Sequence, residues 1–580
     1  MLKRISILIV AVSMAIIPLI HVYLLGLGIA LSQPFTFWLP LLVLGFLAFY
    51  VTITFNSKLP LVLILIFSFT LHLIQFVRQP FGMVWNNDAI FGLQVVEHVL
   101  ETGRWDFGYG TGSAFSYSFY PLFYVFQSIF SFTSGIPVVL IVKYSMAVLN
   151  LLTLMTLYVL VKRLFKLDNK STNLIVLMFS LNPMFHFFNS YFHAESYAII
   201  FYPLVLLYLL RNESYQLNKQ SISVIAILML ATISMAHHLT SYIIGLSVIP
   251  VLASYIVWRK SMGRVQIYLL ALVFPTLWLM FIAPTILSAH VFTFEQLLSS
   301  LVHLHIDFFS TPTASHAYYA SELSLSLSWL RNMTLLSLTV TGLVRYRFNE
   351  NKKSQIFRYF VVLLFLLSTI AIISLFGGIW GEAAGNRTRF LEFAYFPIAI
   401  FSGLGIGIIV QKQGIKNLFK QRASKSLFIL ALVILFVPPT IFNAFARFNY
   451  DPAYYPSSCD EYTVAPEQKH ALGLWVQINV NSSGPTVLTG SGDYVANRYI
   501  IGYGQFQGPW YPDLFNVTLI GEPLPYLERY TLYYVVNINN LQLPDTLGRK
   551  LNEFDIQFLD AYLNNIYDNN AMSLYRTYPD

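Results

Sequence analysis

The sequence predicts a polytopic α-helical membrane protein with a soluble α/β domain at its C-terminal end, and three observations predict it. Of 580 residues, 56% are hydrophobic and only 11% charged, against roughly 25% charged in a typical soluble domain. About 13 apolar runs approach the length that crosses a bilayer. After residue 446 such runs stop, and Asp, Glu, Asn and Tyr become frequent. A mean hydropathy of +0.62 agrees with the first two observations.

Taken in order, the apolar runs lie near 5–31, 34–54, 59–77, 136–161, 172–189, 194–210, 221–236, 239–258, 265–288, 325–343, 357–376, 390–411 and 426–445. The first follows a basic start, MLKR, but is too long for the apolar core of a signal peptide, so it reads as an uncleaved helix. With a cytoplasmic N-terminus, the loops KRLFKLDNK (162–170), RKSMGR (259–264), RYRFNENKKSQIFR (345–358) and KQGIKNLFKQRASK (412–425) all fall inside. All are rich in Lys and Arg, as the positive-inside rule requires. An odd number of spans then puts the C-terminal region outside. The predicted organisation is a multi-pass membrane domain over 1–445 and an extracytoplasmic soluble domain over 446–580, in the cell membrane.

The formal charge is +8. The region from Ala446 onward holds 14 acids and 7 Lys or Arg, a net of seven negative charges that leaves the membrane portion at +15. That segregation assigns the basic residues to the cytoplasmic face, and no nucleic-acid partner is expected. The single cysteine, Cys459, forms no disulfide within the chain. In the soluble region PTVLTG (485–490) and RYTLYYVVNI (529–538) read as strands, and APEQKHALGLWVQI (465–478) reads as a helix. No internal repeat is visible, so the inverted-repeat signature of many transporters is missing.

The outer loops hold most of the unusual ionisable residues. The first, 78–119, contains WNNDAIFGLQVVEHVL (85–100) and carries Asp88, Glu97, His98, Glu101 and Asp106. Over 89–101, Gln94, Glu97, His98 and Glu101 share one helical face and Val95, Val96, Val99 and Leu100 the other, which predicts a helix lying along the membrane surface. Asp88 stands at its start, where both a general base and a helix N-cap fit. The second turn, HFFNSYFHAESYAIIFYPL (186–204), offers His193 and Glu195. An H-x-E pair suits a divalent cation such as Mn or Mg, while a Glu at a helix N-terminus is also favoured by the helix dipole.

The third turn, SMAHHLTSY, adds His237 and His238 at the same level. The fourth loop, 289–324, contains His290, Glu295, His303, His305, Asp307, His316 and Glu322, and is long enough for a lid or a substrate grip. The fifth, GGIWGEAAGNRTRFLEFAYFP, has Glu382, Arg387 and Arg389, with Glu392 just inside the following helix. Two guanidinium groups where the topology rule disfavours positive charge suit a phosphate; snorkelling at a helix end also accounts for them.

An acid on a large first outer loop, followed by YSFYPLFYVFQSIFSFTSG and by helices with charged outer turns, resembles the GT-C class of membrane glycosyltransferases. That class includes protein O-mannosyltransferases, lipid A aminoarabinose transferases and oligosaccharyltransferases. The resemblance covers roughly 60–410, in topology and spacing more than in strict motif. It implies Asp88 as the catalytic acid of the first loop. It implies His193 and Glu195, with His237 and His238 nearby, as metal or substrate ligands. Arg387 and Arg389 become the phosphate-binding arginines, with Glu97, His98, Glu382 and Glu392 as secondary candidates.

The sequence also departs from the class. Asp88 is followed by Ala89, where the mannosyltransferases carry adjacent acids, and GPWYPD (508–513) is not the WWDYG-type motif of the oligosaccharyltransferases. Transfer of one sugar is therefore expected. The resemblance implies a hexosyltransferase-type enzyme that uses a polyprenyl-phosphate-linked donor, embedded in membrane lipids, with a lipid, glycan or protein acceptor outside. The rival reading is a transporter or flippase for a lipid-linked or anionic solute, which requires ionisable residues at mid-membrane and on both faces.

Overall fold

The computed structural model describes residues 2–26, 35–77, 87–107, 118–189, 192, 194–210, 219–258, 265–288, 322–347, 355–376, 384–411 and 422–445, with 486–490, 531–537, 564–568 and 572–576 of the C-terminal region. The first helices are α1 (Leu2–Gly26), α2 (Phe35–Thr54), α3 (Leu59–Val77), α4 (Asn87–Thr102), α5 (Pro121–Ser134) and α6 (Val138–Leu164). Then come α7 (Asn169–Ser180), α8 (Pro183–Asn189), α9 (Ala194–Ala198), α10 (Phe201–Leu210), α11 (Lys219–Ala236), α12 (His238–Trp258) and α13 (Val265–Phe281). The series closes with α14 (Glu322–Arg347), α15 (Gln355–Phe376), α16 (Ala384–Gln411) and α17 (Arg422–Phe445). Each apolar run read from the sequence contains helix among the described residues. Among the described residues, Arg4–Leu24, Phe35–Thr54, Val138–Leu164 and Glu392–Val410 are long and apolar enough to cross a membrane.

Two of the runs are broken rather than continuous. The run 172–189 divides into α7 and α8 because Asn182–Pro183 removes a backbone donor and disfavours helical geometry in the residue before the proline. The break is closed by another helix: Thr440 Oγ1 of α17 donates to the carbonyl of Leu181 at 2.8 Å. The run 194–210 divides into α9 and α10 at Ile199–Ile200.

The chain forms two compact units, the first made of Met1–Arg78, Phe119–Phe123 and Tyr144–Tyr454. Its central helix is α16, packed on α7, α8, α14 and α15. Small residues allow that packing. A Cβ at Gly342 of α14 would lie 2.0 Å from the carbonyl oxygen of Phe401, and one at Gly405 would lie 2.1 Å from that of Leu338. Close backbone approach through small residues is how helices associate where lipid supplies no hydrophobic drive. Gly403 meets α7 in the same way, 2.7 Å from Ile175 Cα. Along α6 the exposed residues Tyr144, Val148, Leu152, Met155 and Val159 recur at helical spacing, an apolar stripe left uncovered by protein.

At the opposite end to the site described below, two short loops lock together. The Lys170 amide donates to Asn56 Oδ1 at 3.1 Å, and Asn173 Nδ2 donates to the Ser57 carbonyl at 3.0 Å. Asp168 caps α7 by accepting from the Ser171 amide at 2.9 Å.

The second unit comprises Gln79–Ser118, Tyr124–Lys143 and Tyr455–Asp580. It holds a four-stranded sheet, β1 (Thr486–Gly490), β2 (Thr531–Asn537), β3 (Asn564–Asp568) and β4 (Met572–Arg576), in the order β1-β2-β4-β3. β1 and β2 pair in parallel, with Thr486 opposite Thr531, and fall on the two runs read as strands. β4 is antiparallel to both its neighbours. The stretch read as a helix at 465–478 lies outside the described residues.

In this unit α5 is inverted relative to a helix on a water-soluble protein. From Tyr124 onward it buries Gln127, Ser128 and Ser131 and exposes Phe126, Ile129, Phe130 and Phe132, the last at 81%. Such a face is stable against lipid, not water.

Candidate active site

Site residues read from the sequence fall into three groups in the structure. The first is on α4. The helix begins at Asn87, so Asp88 stands in its first turn as expected; the side chain of Asp88 lies outside the described residues. The two-faced reading of this helix is corrected. Leu93, Gln94, Val95 and Val96 are four consecutive residues, 0–2% exposed, so this stretch is covered on every side. Gln94, assigned to the polar face, has neither amide atom hydrogen-bonded among the described residues, while Val99 and Leu100, assigned to the apolar face, are only half-buried. Burial along α4 follows position in the helix, not face.

Beyond that stretch the ionisable residues cluster. Burial, and secondarily Glu101, pushes the Glu97 carboxyl up to about 7. His98 Nε2 lies 2.9 Å from Asp106 Oδ2, and Arg104 Nε lies 3.2 Å from the same oxygen. The hydrogen bond from His98 is the main cause that holds Asp106 below the usual carboxylate range. Gly103 ends α4 at φ 69°, a left-handed position suited to glycine, with its amide on the Val99 carbonyl at 2.9 Å. The Trp105 indole N–H closes the loop onto the Ser118 carbonyl at 3.0 Å.

The second group lies at one end of the first unit. His193 and Glu382 are outside the described residues, as is the whole fourth loop before Glu322. Glu195 stands in the first turn of α9 and is 1% exposed, so this outer turn is covered by protein at Glu195. Short α9 packs against α8, α11 and α12, which cover it. His237 is also buried and acts as the N-cap of α12: its Nδ1 accepts from the Thr240 amide at 3.3 Å, with Thr240 Oγ1 at 3.1 Å. That fixes Nδ1 as an acceptor and leaves Nε2 as the ring's other edge. His238 is the first residue of α12, and its side chain is outside the described residues.

The end of the first loop docks onto this group. The Trp278 indole N–H of α13 donates to the Phe119 carbonyl at 3.1 Å, the Tyr120 ring lies 6.4 Å from His237, and Phe123 packs on Phe192 at 4.7 Å and Tyr197 at 5.3 Å. The loop end thus brings Phe123 against Tyr197, two residues beyond Glu195, and Tyr120 against His237. Among the described residues no group of three or more His, Cys, Asp or Glu is placed to hold a metal ion.

The third group was largely missed by sequence reasoning. Glu392, a secondary candidate, is fully buried on α16 and accepts at Oε1 from the side-chain amide of Asn189, at the end of α8. The Asn189 carbonyl in turn accepts from Asn150 Nδ2 of α6. One turn further along α16, Tyr395 is 7% exposed; on α14, Arg331 is 7% exposed and donates through Nε and Nη2 to Asn332 Oδ1 at 3.2 and 2.9 Å. His72 of α3 and His186 of α8 are also buried, with their Nδ1 atoms 3.4 Å apart. An Arg six residues inside an apolar run was the available signal for Arg331. Arg387 and Arg389 lie near the start of α16, at the same end, and their side chains are outside the described residues.

With this geometry, comparison with known proteins gives the following. No family model matches the chain, and no curated protein matches it. Among solved structures, the arabinofuranosyltransferase AftD from Mycobacteria aligns with 90% of this chain at 12% identity and a TM-score of 0.52; the chain spans 40% of that protein. ArnT from Cupriavidus metallidurans bound to undecaprenyl phosphate aligns with 90% of this chain and 98% of its own at 11% identity and a TM-score of 0.49. The apo state of the same protein gives 11% identity and a TM-score of 0.48 over 89% of this chain and 97% of its own. The likeness to AftD is a likeness of fold.

Proposed function

The chain is a multi-pass membrane protein with the fold of the GT-C class, and from that premise we propose that it transfers a sugar from a polyprenyl-phosphate-linked donor to an acceptor on the outer face of the membrane. The carrying observation is the set of buried ionisable residues at one end of the first unit: Glu195, His237, Arg331 and Glu392. In a spanning bundle such groups are costly and mark sites of chemistry or passage. A conduit needs them at mid-depth and at both ends, whereas these four stand at one end. The fold likeness to AftD, an arabinofuranosyltransferase, supports glycosyl transfer. The outer side follows from the basic loops, and the hexosyl type and the extracytoplasmic C-terminal domain belong to the same reading.

In this scheme the acceptor hydroxyl attacks the anomeric carbon. The new C–O bond forms as the bond from that carbon to the lipid phosphate breaks, and the phosphate leaves with the electron pair. Asp88 takes the hydroxyl proton. Arg387 and Arg389 stabilise the charge growing on the departing phosphate. Glu392, held by Asn189, presents a carboxylate for sugar hydroxyls. His193 and Glu195, together with His237, hold a divalent cation or contact the donor directly; a cation there would supply Lewis-acid stabilisation of phosphate oxygens.

The test uses the purified full chain in proteoliposomes with a polyprenyl-phosphate-linked sugar and a membrane acceptor fraction. Release of free polyprenyl phosphate coupled to acceptor labelling is the expected result. Movement of intact donor between leaflets without cleavage establishes the flippase instead.

A further inference from the structure

Arg331 carries a full charge into the interior of the bundle and forms no ion pair among the described residues. It lies nine residues into α14, between neighbours that face outward: Trp329, Leu330 and Met333 are 66%, 53% and 53% exposed. Arg331 itself faces the other way, on the stripe that continues through Leu335, Leu338 and Gly342 towards α16. Among the described residues no carboxylate forms an ion pair with it. Its Nε and Nη2 share one acceptor, Asn332 Oδ1, and Nη1 has no hydrogen-bond partner among the described residues.

The electrostatic neighbour of Arg331 is the Tyr395 phenol of α16, whose hydroxyl is buried and also without a hydrogen-bond partner among the described residues. The two helices run parallel, since Arg331 meets Tyr395 at one level and Gly342 meets Gly405 at another, an offset kept along both. Two donors from two helices therefore stand open in the same buried region, one of them cationic.

A buried guanidinium with no counter-charge is among the most unfavourable groups a bundle can hold, and an apolar residue of similar size would stabilise the fold better. Retaining it makes sense where an anion arrives to complete it. We propose that Arg331 and Tyr395 form a buried site between α14 and α16 for a phosphate-type oxyanion. Asn332 holds one edge of the guanidinium, so the free edge is fixed in direction. Tyr395 supplies a second donor from across the interface, as a multi-oxygen acceptor requires. The outward-facing Trp329, Leu330 and Met333 on the same turn suit an anion that carries an apolar tail. Identifying the oxyanion with the donor's phosphate rests on the transferase reading above; the site itself does not.

The test is binding without turnover, on the full chain in detergent, by thermal unfolding with a polyprenyl phosphate, with the corresponding uncharged polyprenol, and with inorganic phosphate. A ligand that binds the folded state alone raises Tm. The expected result is a shift with polyprenyl phosphate and none with polyprenol. Arg331→Met should abolish that shift, weakening binding at least ~10-fold, as for loss of a hydrogen bond to a charged group. Tyr395→Phe should weaken it several-fold, by the same argument for a single donor.

The ligand-free Tm of Arg331→Met should equal or exceed that of the parent, because the charge removed has no carboxylate partner among the described residues. A shift with inorganic phosphate that is lost in Arg331→Met supports the site and assigns it to a soluble anion. Undiminished shifts in both variants overturn the proposal, as does a ligand-free Arg331→Met that fails to fold or unfolds well below the parent. Failure of glycosyl transfer with these binding results intact overturns the transferase reading and leaves the anion site standing.

Discussion

The side-chain amide of Asn189 donates to the Glu392 carboxylate inside the membrane bundle, joining the end of α8 to the first third of α16. A buried carboxylate without such donors protonates or unfolds its surroundings. Asn150 completes the arrangement by donating to the Asn189 backbone carbonyl, so three helices fix one carboxylate. The helix break at Leu181–Asn182 is what turns α8 to deliver Asn189 there.

Glu392→Gln is therefore expected to lower transfer at least ~100-fold if the carboxylate contacts the sugar, by analogy with the loss of one catalytic-site contact. Asn189→Ala leaves the carboxylate present but unsupported. It should lower activity less, and lower stability by about 1–3 kcal/mol, the cost of an unsatisfied buried group. Initial rates and thermal unfolding on both variants check this. Equal effects on activity and stability would make the trio structural.

Asp88→Asn separates catalysis from capping, because an amide keeps the capping oxygen and cannot accept a proton. Loss of a general base costs ~10²- to 10⁴-fold in rate. A variant with unchanged thermal unfolding and activity within a few-fold of the parent leaves Asp88 a structural residue of the first turn of α4.

Much of the bundle was legible because its signal is local. Each apolar run is continuous in sequence, and α3 (Leu59–Val77) matches its expected bounds to the residue. Basic loops such as KRLFKLDNK are likewise local. The interior polar groups are not: Asn150 and Asn189 are 39 residues apart and Asn189 and Glu392 are 203 apart, and no pattern along the chain announces that they meet. Arg331 escaped notice because reading for charged loops passes over a charge inside a span. Gln94 misled in the opposite way, since helical periodicity assigns faces but does not say how many of them other elements cover.

The metal question has a direct test. If His193 and Glu195 hold a divalent cation with the help of His237, excess chelator should depress activity, and added Mn or Mg should restore it. His193→Ala combined with Glu195→Ala should then be inactive at every metal concentration. Full activity in chelator, with no metal in the purified protein by elemental analysis, reassigns these side chains to direct donor contacts.

Gly405→Leu tests the packing that aligns Arg331 with Tyr395. Even a Cβ at Gly405 would stand 2.1 Å from the Leu338 carbonyl oxygen, a backbone atom that moves only with its helix. Overpacking of this kind typically costs about 1–3 kcal/mol. The expected result is a lower Tm in detergent and loss of activity together, whereas Gly407→Ala, whose Cβ would meet only the Leu174 side chain at 3.8 Å, should be neutral.

The α4 cluster makes stability depend on pH in two opposed ways. Glu97 has its folded-state pKa raised from 4.5 to about 7, mainly by burial. The folded chain therefore binds more protons than the unfolded chain between those values, and stability from this group, full below about 4.5, is lost as pH rises through about 7. Asp106 is shifted the other way by His98 and Arg104, so its contribution is present above the ordinary carboxylate pKa and is lost as pH falls through the lowered one. Between the two ranges, unfolding measured from pH 4.5 to pH 7 should show a falling contribution from Glu97 and a constant one from Asp106. Glu97→Gln keeps the neutral shape and removes the titration, so its stability should no longer fall across that window. A parent and a Glu97→Gln variant with parallel pH profiles would mean that the carboxyl is ionised in the folded chain, and that α4 is more open to water around Glu97 than its half-buried side chain indicates.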